Sequence, residues 1–244
     1  MKNVKIISIE SDFGAGKKGA KFGPQALLKE LPAELISSTP IEIVKIEDNA
    51  EFEETPFAIH IESIYEVLSS SSEKIKEALS SNFLPWVISG DHSNGLAAIT
   101  AYKDLYPKNN LGVIWIDAHT DIHTPYTSPS GNMHGMPLAA AMGIMDESKG
   151  KNQVDKFTQN KWKDLIQLGS NKVFPKLNPS HLVFIDIRDI EAEESLMLSE
   201  LYIKHFGPSN RKELGIETII NESIQYLSQC DHILVSFDVD SIDP

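Results

Sequence analysis

LGVIWIDAHTDIH, residues 111–123, carries most of what the chain says about its fold. Leu111 to Ile116 form a continuous apolar run broken only by a glycine. Such a run suits a strand buried on both faces, as in a parallel sheet covered by helices. The polar segment from Asp117 to His123 then begins without a spacer. In open α/β sheets, ligands bind beyond the carboxyl ends of the strands, so these side chains fall where a site is expected. Two more stretches repeat the layout: His181 to Ile187 leads into RDIEAEE (188–194), and His232 to Phe237 leads into Asp238 and Asp240.

Working outward, Val4 to Ile9, Ile41 to Ile46 and Pro85 to Ser89 read as further strands. Pro24 opens a helix through Leu31, at a position where its missing N–H costs nothing. Helical spacing or composition marks Ile59 to Leu79, Gly95 to Leu105, Glu191 to Tyr202 and Ile216 to Leu227. Asp146 to Asn160 is polar and reads as a surface excursion. Strands alternating with helices, with no repeat and no boundary, predict one α/β domain over residues 1–244 with a mainly parallel sheet. The chain stops at Ser241 to Pro244, a few residues after a core strand and with no helix to cover it. Its C-terminal part therefore reads as missing, and Asp243 with Pro244 reads as a turn.

Composition narrows the function classes. A chain of 244 residues with 41% hydrophobic residues can bury a sizeable core. The net charge of −13 argues against nucleic acid or an anionic membrane as partner. Cys230 is the only cysteine and cannot form an internal disulfide. No apolar run approaches a membrane span, and MKNVKIISIESDFG lacks a signal-peptide layout, which predicts a cytoplasmic protein.

The chemistry gathers at three strand ends. Four of the eight histidines lie between His92 and His134. His92 follows the third strand, Asp117, His119 and Asp121 follow the fourth, and Asp238 and Asp240 follow the last. A two-residue spacing places Asp117 with His119, and Asp238 with Asp240, on one side of an extended backbone. Three adjacent strand ends would then bring four carboxylates and two imidazoles to one spot. Two divalent cations would offset four aspartate charges, and mixed imidazole and carboxylate ligands suit Mn²⁺, with Fe, Co, Ni or Zn as alternatives. Asp91 reads as a residue that orients its loop, not as a ligand.

SGDHS (89–93), DAHTDIHTP (117–125), SGNMHG (130–135), RDIEAEE (188–194) and SFDVDSIDP (236–244), in that order, closely resemble the ureohydrolases, and the arginases among them. The resemblance implies a three-layer α-β-α sandwich and a dinuclear manganese site. It assigns His92 and Asp121 to the first metal, His119 and Asp240 to the second, and makes Asp117 and Asp238 bridges. It implies a water activated between the ions that attacks a guanidinium carbon, releasing urea and an amine. His134 takes the role of proton shuttle. His123 stands where arginases usually carry an asparagine that holds the substrate's α-carboxylate. Ser130 matches a carboxylate contact, Asn132 belongs to the substrate-binding loop Ser130-Gly131-Asn132 that favours arginine, and Glu191 and Glu194 match the acidic pair that reads the α-amino group. The implied reaction is hydrolysis of L-arginine to urea and L-ornithine by a trimer or hexamer.

Alternatives remain open at this point. Agmatinases and guanidinobutyrases share the metal ligands but are expected to lack Ser130-Gly131-Asn132, and formimidoylglutamase is a further relative. A metallophosphoesterase also uses Asp-x-His, but its later motifs should follow that one, whereas Gly90-Asp91 precedes it. Arginases place a glutamate that grips the guanidinium after SFDVDSIDP. If residue 244 is the natural end, a metal-binding or assembly protein without turnover is expected.

Overall fold

A computed structural model describes residues 3–47, 55–145, 147 and 150–242. The turn expected at Asp243 and Pro244 lies outside these residues. The elements run β1 (Val4–Ile9), α1 (Gly23–Glu30), α2 (Ala33–Ser38), β2 (Ile41–Val44), α3 (Ile61–Ser80), β3 (Leu84–Ser89), α4 (Gly95–Leu105) and β4 (Leu111–Ile116). They continue α5 (Pro137–Met142), α6 (Lys156–Ile166), β5 (Leu182–Ile185), α7 (Ala192–Leu201), β6 (Lys204–Phe206), α8 (Pro208–Leu214), α9 (Ile216–Tyr226) and β7 (His232–Phe237).

Every described strand pairing is parallel. Helices cover both faces of the β4 sheet. Val113 and Trp115 of β4 join a large core with Ala97 of α4, Leu138 of α5 and Trp162 of α6. Ile114 of β4 and Ile185 of β5 turn the other way and pack with Ile219 of α9. The parallel α/β sandwich is thus as the alternation of elements implies.

Its strands are hydrogen-bonded as two sheets, β2-β1-β3 and β6-β5-β4-β7. The three site-bearing strands are therefore not all neighbours: β4 pairs with β7, while β3 edges the other sheet. The sheets are linked near their carboxyl ends, where His92 Nε2 lies 2.8 Å from Ser236 Oγ. β7 also departs from the expectation of a strand buried on both faces. Val235 and Phe237, level with Ile114 and Ile116, are 62% and 55% exposed.

Of the polar segment expected as a surface excursion, residues 146, 148 and 149 lie outside the described residues, the rest is mostly at the surface, and its end opens α6. Asp155 caps that helix, its Oδ1 accepting from Thr158 N at 2.8 Å, and Trp162, Leu165 and Ile166 anchor it. The apolar residues that fix this helix lie beyond Asn160, outside the polar stretch. α5 was not anticipated because all six of its residues are buried, which leaves no periodicity to read.

Candidate metal centre and adjoining cavity

β4 and β7 are in register, Ile116 opposite Phe237, so Asp117 and Asp238 leave the sheet level with each other. The backbone does not stay extended beyond them. His119 N donates to Asp117 Oδ1 at 2.8 Å, and Asp240 N donates to Asp238 Oδ1 at 3.0 Å. These turns, in which an aspartate accepts from the amide two residues on, gather the side chains that the spacing was expected to align along a strand. Asp121 sits at φ 52°, a left-handed conformation that aspartate tolerates better than most residues. His92 follows Asp91, which does orient its loop: its Oδ1 accepts from Ser93 N and its Oδ2 from Gly14 N.

Two sets of potential ligand atoms result, His92–Asp117–Asp121 and Asp117–His119–Asp240, each with its atoms within 4.8 Å of one another. Asp117 belongs to both. His92 Nδ1 lies 2.9 Å from Asp117 Oδ2 and 3.1 Å from both Asp121 Oδ2 and Asp238 Oδ2, which draws Asp238 into the first set. His119 Nδ1 lies 3.0 Å from Asp240 Oδ2. The structure brings all six expected ligands together.

Burial only partly compensated by opposite charge is the electrostatic mark of this cluster. Desolvation and neighbouring carboxylates push the Asp121 carboxyl up to about 7 and raise Asp240 as well. Burial alone would lower the His92 pKa, but Asp117, Asp121 and Asp238 around Nδ1 raise it well above the ordinary value. Burial opposes ionisation of Asp117 and Asp238 too, and the imidazoles of His119 and His92 outweigh it. His92 Nδ1 and Asp121 Oδ2 are buried without hydrogen-bond geometry to any partner. Converging imidazole and carboxylate donors with orphaned lone pairs fit a divalent transition-metal cation.

The cluster opens onto a cavity of about 220 Å³. Eight of the expected site residues line it: His119, Asp121, His123, Ser130, Asn132, His134, Glu191 and Glu194. Among the described residues, neither lysine nor arginine lines it. His134 is held through its backbone N, which donates to Gly14 O, and desolvation lowers its pKa. Ser130 Oγ accepts from Asn132 N. Glu191 is the N-cap of α7, so the acidic pair also builds the helix start. Glu191 Oε2 reaches His123 Nε2 at 3.3 Å. Both Glu194 oxygens are engaged within the chain, Oε1 by Thr120 Oγ1 and Oε2 by Glu191 N.

Several supporting residues were not singled out from the sequence. Trp115 Nε1 donates to Asp117 Oδ2 at 3.0 Å, and the Trp115 ring stacks on His92 with centroids 4.0 Å apart. Ser236 contacts the far nitrogen of the same histidine. Both lie two residues before an expected aspartate ligand, a strand period that could have revealed them. Asp189 lies 3.6 Å from His119 Nε2, and neither it nor Thr120 carries a pattern signal.

A model of the Arginase family matches residues 2–244. Arginase of Staphylococcus aureus strain MRSA252 is 32% identical over 253 residues, covering 100% of this chain and 76% of that protein. The solved arginase of Bacillus caldovelox superposes with a TM-score of 0.81 at 27% identity, covering 98% of this chain and 76% of the other. Formimidoylglutamase of Bacillus subtilis shares the fold, with a TM-score of 0.67 at 18% identity over 98% of this chain and 66% of that one.

Proposed function

The chain belongs to the arginase family, and from that premise we propose that it is a dinuclear manganese hydrolase converting L-arginine to urea and L-ornithine. The observation that carries the reading is continuity: His119 and Asp121 belong both to the ligand sets and to the wall of a cavity with no lysine or arginine among its described lining residues. His92, Asp121, Asp117 and Asp238 would hold one ion, and His119 and Asp240 with the two shared aspartates the other. When bound, the ions would make water nucleophilic near neutral pH for attack on the guanidinium carbon.

The chain's own residues do the rest. The acidic cavity favours a cationic guanidinium over an anion. His134, with its pKa lowered, is suited to pass a proton to the leaving amine. At the far end, Ser130, Asn132 and His123 offer donors to a carboxylate, and Glu191, half exposed, offers an acceptor to an ammonium. Glu194, its oxygens engaged by Thr120 and Glu191 N, backs Glu191 in this pair. A cytoplasmic trimer or hexamer goes with this reading.

The test is urea release from L-arginine, agmatine and 4-guanidinobutyrate by protein loaded with Mn²⁺. A preference for L-arginine of at least about tenfold in kcat/KM is expected, because agmatine leaves the donors unpaired. Equal or better turnover of agmatine overturns the substrate and leaves the hydrolase class standing.

A further inference from the structure

We propose that Thr127 is a positioning residue: it fixes which ring nitrogen of His123 carries the hydrogen, and so makes the far end of the cavity a reader of ligand carboxylates. The proposal rests on the reading above, in which a guanidino substrate lies with its amino-acid end at His123.

His123 is 7% exposed, and its Nε2 is buried at the cavity wall with no hydrogen-bond partner. Its Nδ1 lies 3.1 Å from Thr127 Oγ1. That hydroxyl oxygen already accepts from Thr124 N at 2.9 Å, which leaves its hydrogen to be placed. Nδ1 is a nearer acceptor for it than Thr124 O, at 3.4 Å. In a neutral imidazole one nitrogen donates and the other accepts. Were Nδ1 the donor, the bare lone pair of Nε2 would face Glu191 Oε2 at 3.3 Å and Glu194 Oε1 at 3.8 Å. With Thr127 donating to Nδ1, the hydrogen sits on Nε2, where the two carboxylates at 3.3 and 3.8 Å favour it although neither is in hydrogen-bond geometry with it.

A ligand carboxylate can then take this hydrogen, which no side chain accepts, while Glu191 accepts from the ligand's ammonium. A ligand without a carboxylate leaves the His123–Glu191 contact as it is. Thr127, behind the ring, thereby acts on one class of substrate only.

The experiment pairs the ring's tautomer with substrate discrimination. In ¹⁵N-labelled protein, long-range ¹H–¹⁵N correlation reads the His123 tautomer, assigned by its loss in His123→Asn. The expected wild-type ring is protonated on Nε2, and Thr127→Val moves it toward Nδ1. In the Mn²⁺-loaded enzyme, Thr127→Val should raise KM for L-arginine roughly tenfold, the worth of one hydrogen bond to a charged group. KM for agmatine and both kcat values should stay within about twofold, well inside that effect. Thr127→Ser should restore the wild-type values, and in the His123→Asn background Thr127→Val should have no effect on KM. An Nδ1-protonated wild-type ring, an unmoved ring in Thr127→Val, or an equal KM change in the His123→Asn background overturns the proposal. If no guanidino compound is turned over, the function above fails, and the ring spectra alone decide the role of Thr127.

Discussion

Replacing Glu194 by alanine asks whether α7 holds the metal-ligand loop in place. Glu194 is 4% exposed, and its Oε1 accepts from Thr120 Oγ1 at 2.5 Å. Thr120, fully buried, stands between His119 and Asp121 in the chain. Oε2 accepts from Glu191 N at 3.1 Å, closing the capping box of the helix. Alanine would strand the Thr120 hydroxyl, at about 1–3 kcal/mol for an unsatisfied buried donor. The helix amide is only partly buried and can recruit water, so its loss costs about 1 kcal/mol, as for a lost cap. The expected destabilisation of the metal-free protein is thus about 2–4 kcal/mol by urea denaturation. Glu194→Gln keeps an oxygen for Thr120 and should lose only about 1 kcal/mol. Because Thr120 tethers the segment carrying two ligands, Mn²⁺ affinity measured by calorimetry should fall about 10–100-fold in the alanine variant. A loss below about 0.5 kcal/mol with unchanged Mn²⁺ affinity would refute the tether.

Asp117→Asn should reduce the Mn²⁺ content from two ions to less than one per chain by elemental analysis, because both ligand sets use that carboxylate; retention of two ions would contradict the shared-ligand geometry. His134→Ala should keep its metals and lose roughly 10²–10⁴-fold in kcat; loss of the metals would make His134 a ligand instead. Lys176 is buried with its ammonium on the carbonyl of Ile166, and burial lowers its pKa to about 8. The unfolded chain keeps that proton up to about 10.5, so between the two values the unfolded state binds more protons and stability rises with pH. Lys176→Met should remove this rise from urea melts taken between pH 7 and 10.5, and an unchanged slope would discard the assignment.

The candidate ligands were legible because their signal is local. An apolar run followed at once by aspartate and histidine marks a strand end whatever the rest of the chain does, and His232 to Phe237 forms β7 with the bounds read from the sequence. The mechanism of convergence was not legible. A two-residue spacing suits both an extended strand and a turn closed by the aspartate's own side chain, and the hydrogen bonds to Asp117 and Asp238 show that the turn wins. Sheet membership was hidden for another reason. Hydrophobic pattern reports that a strand is buried but not which strand lies beside it, so β3 could not be separated from β4 and β7. The carboxylate pair of α7 shows the same limit. Glu191 and Glu194 fit a helix start and a ligand contact equally well as letters, and only burial separates the half-exposed Glu191 from the enclosed Glu194.

His92 shows why a candidate ligand and a structural joint can occupy one position. It is the only one of the six expected ligands borne by the β2-β1-β3 sheet; the others leave β4 and β7. Each part of its ring is engaged by the second sheet: Nδ1 faces Asp117, Asp121 and Asp238, Nε2 meets Ser236, and one face lies on Trp115. Gly95, at the start of α4, keeps the Trp115 side free, since a Cβ there would fall 2.5 Å from the indole ring. A lone pair on Nδ1 can be aimed at a cation only if Nε2 carries the hydrogen, and Ser236 Oγ is placed to accept it. The contacts that join the two sheets are therefore the same ones that orient the ligand. An alteration of Ser236 or Trp115 acts on the metal site through the packing of the fold.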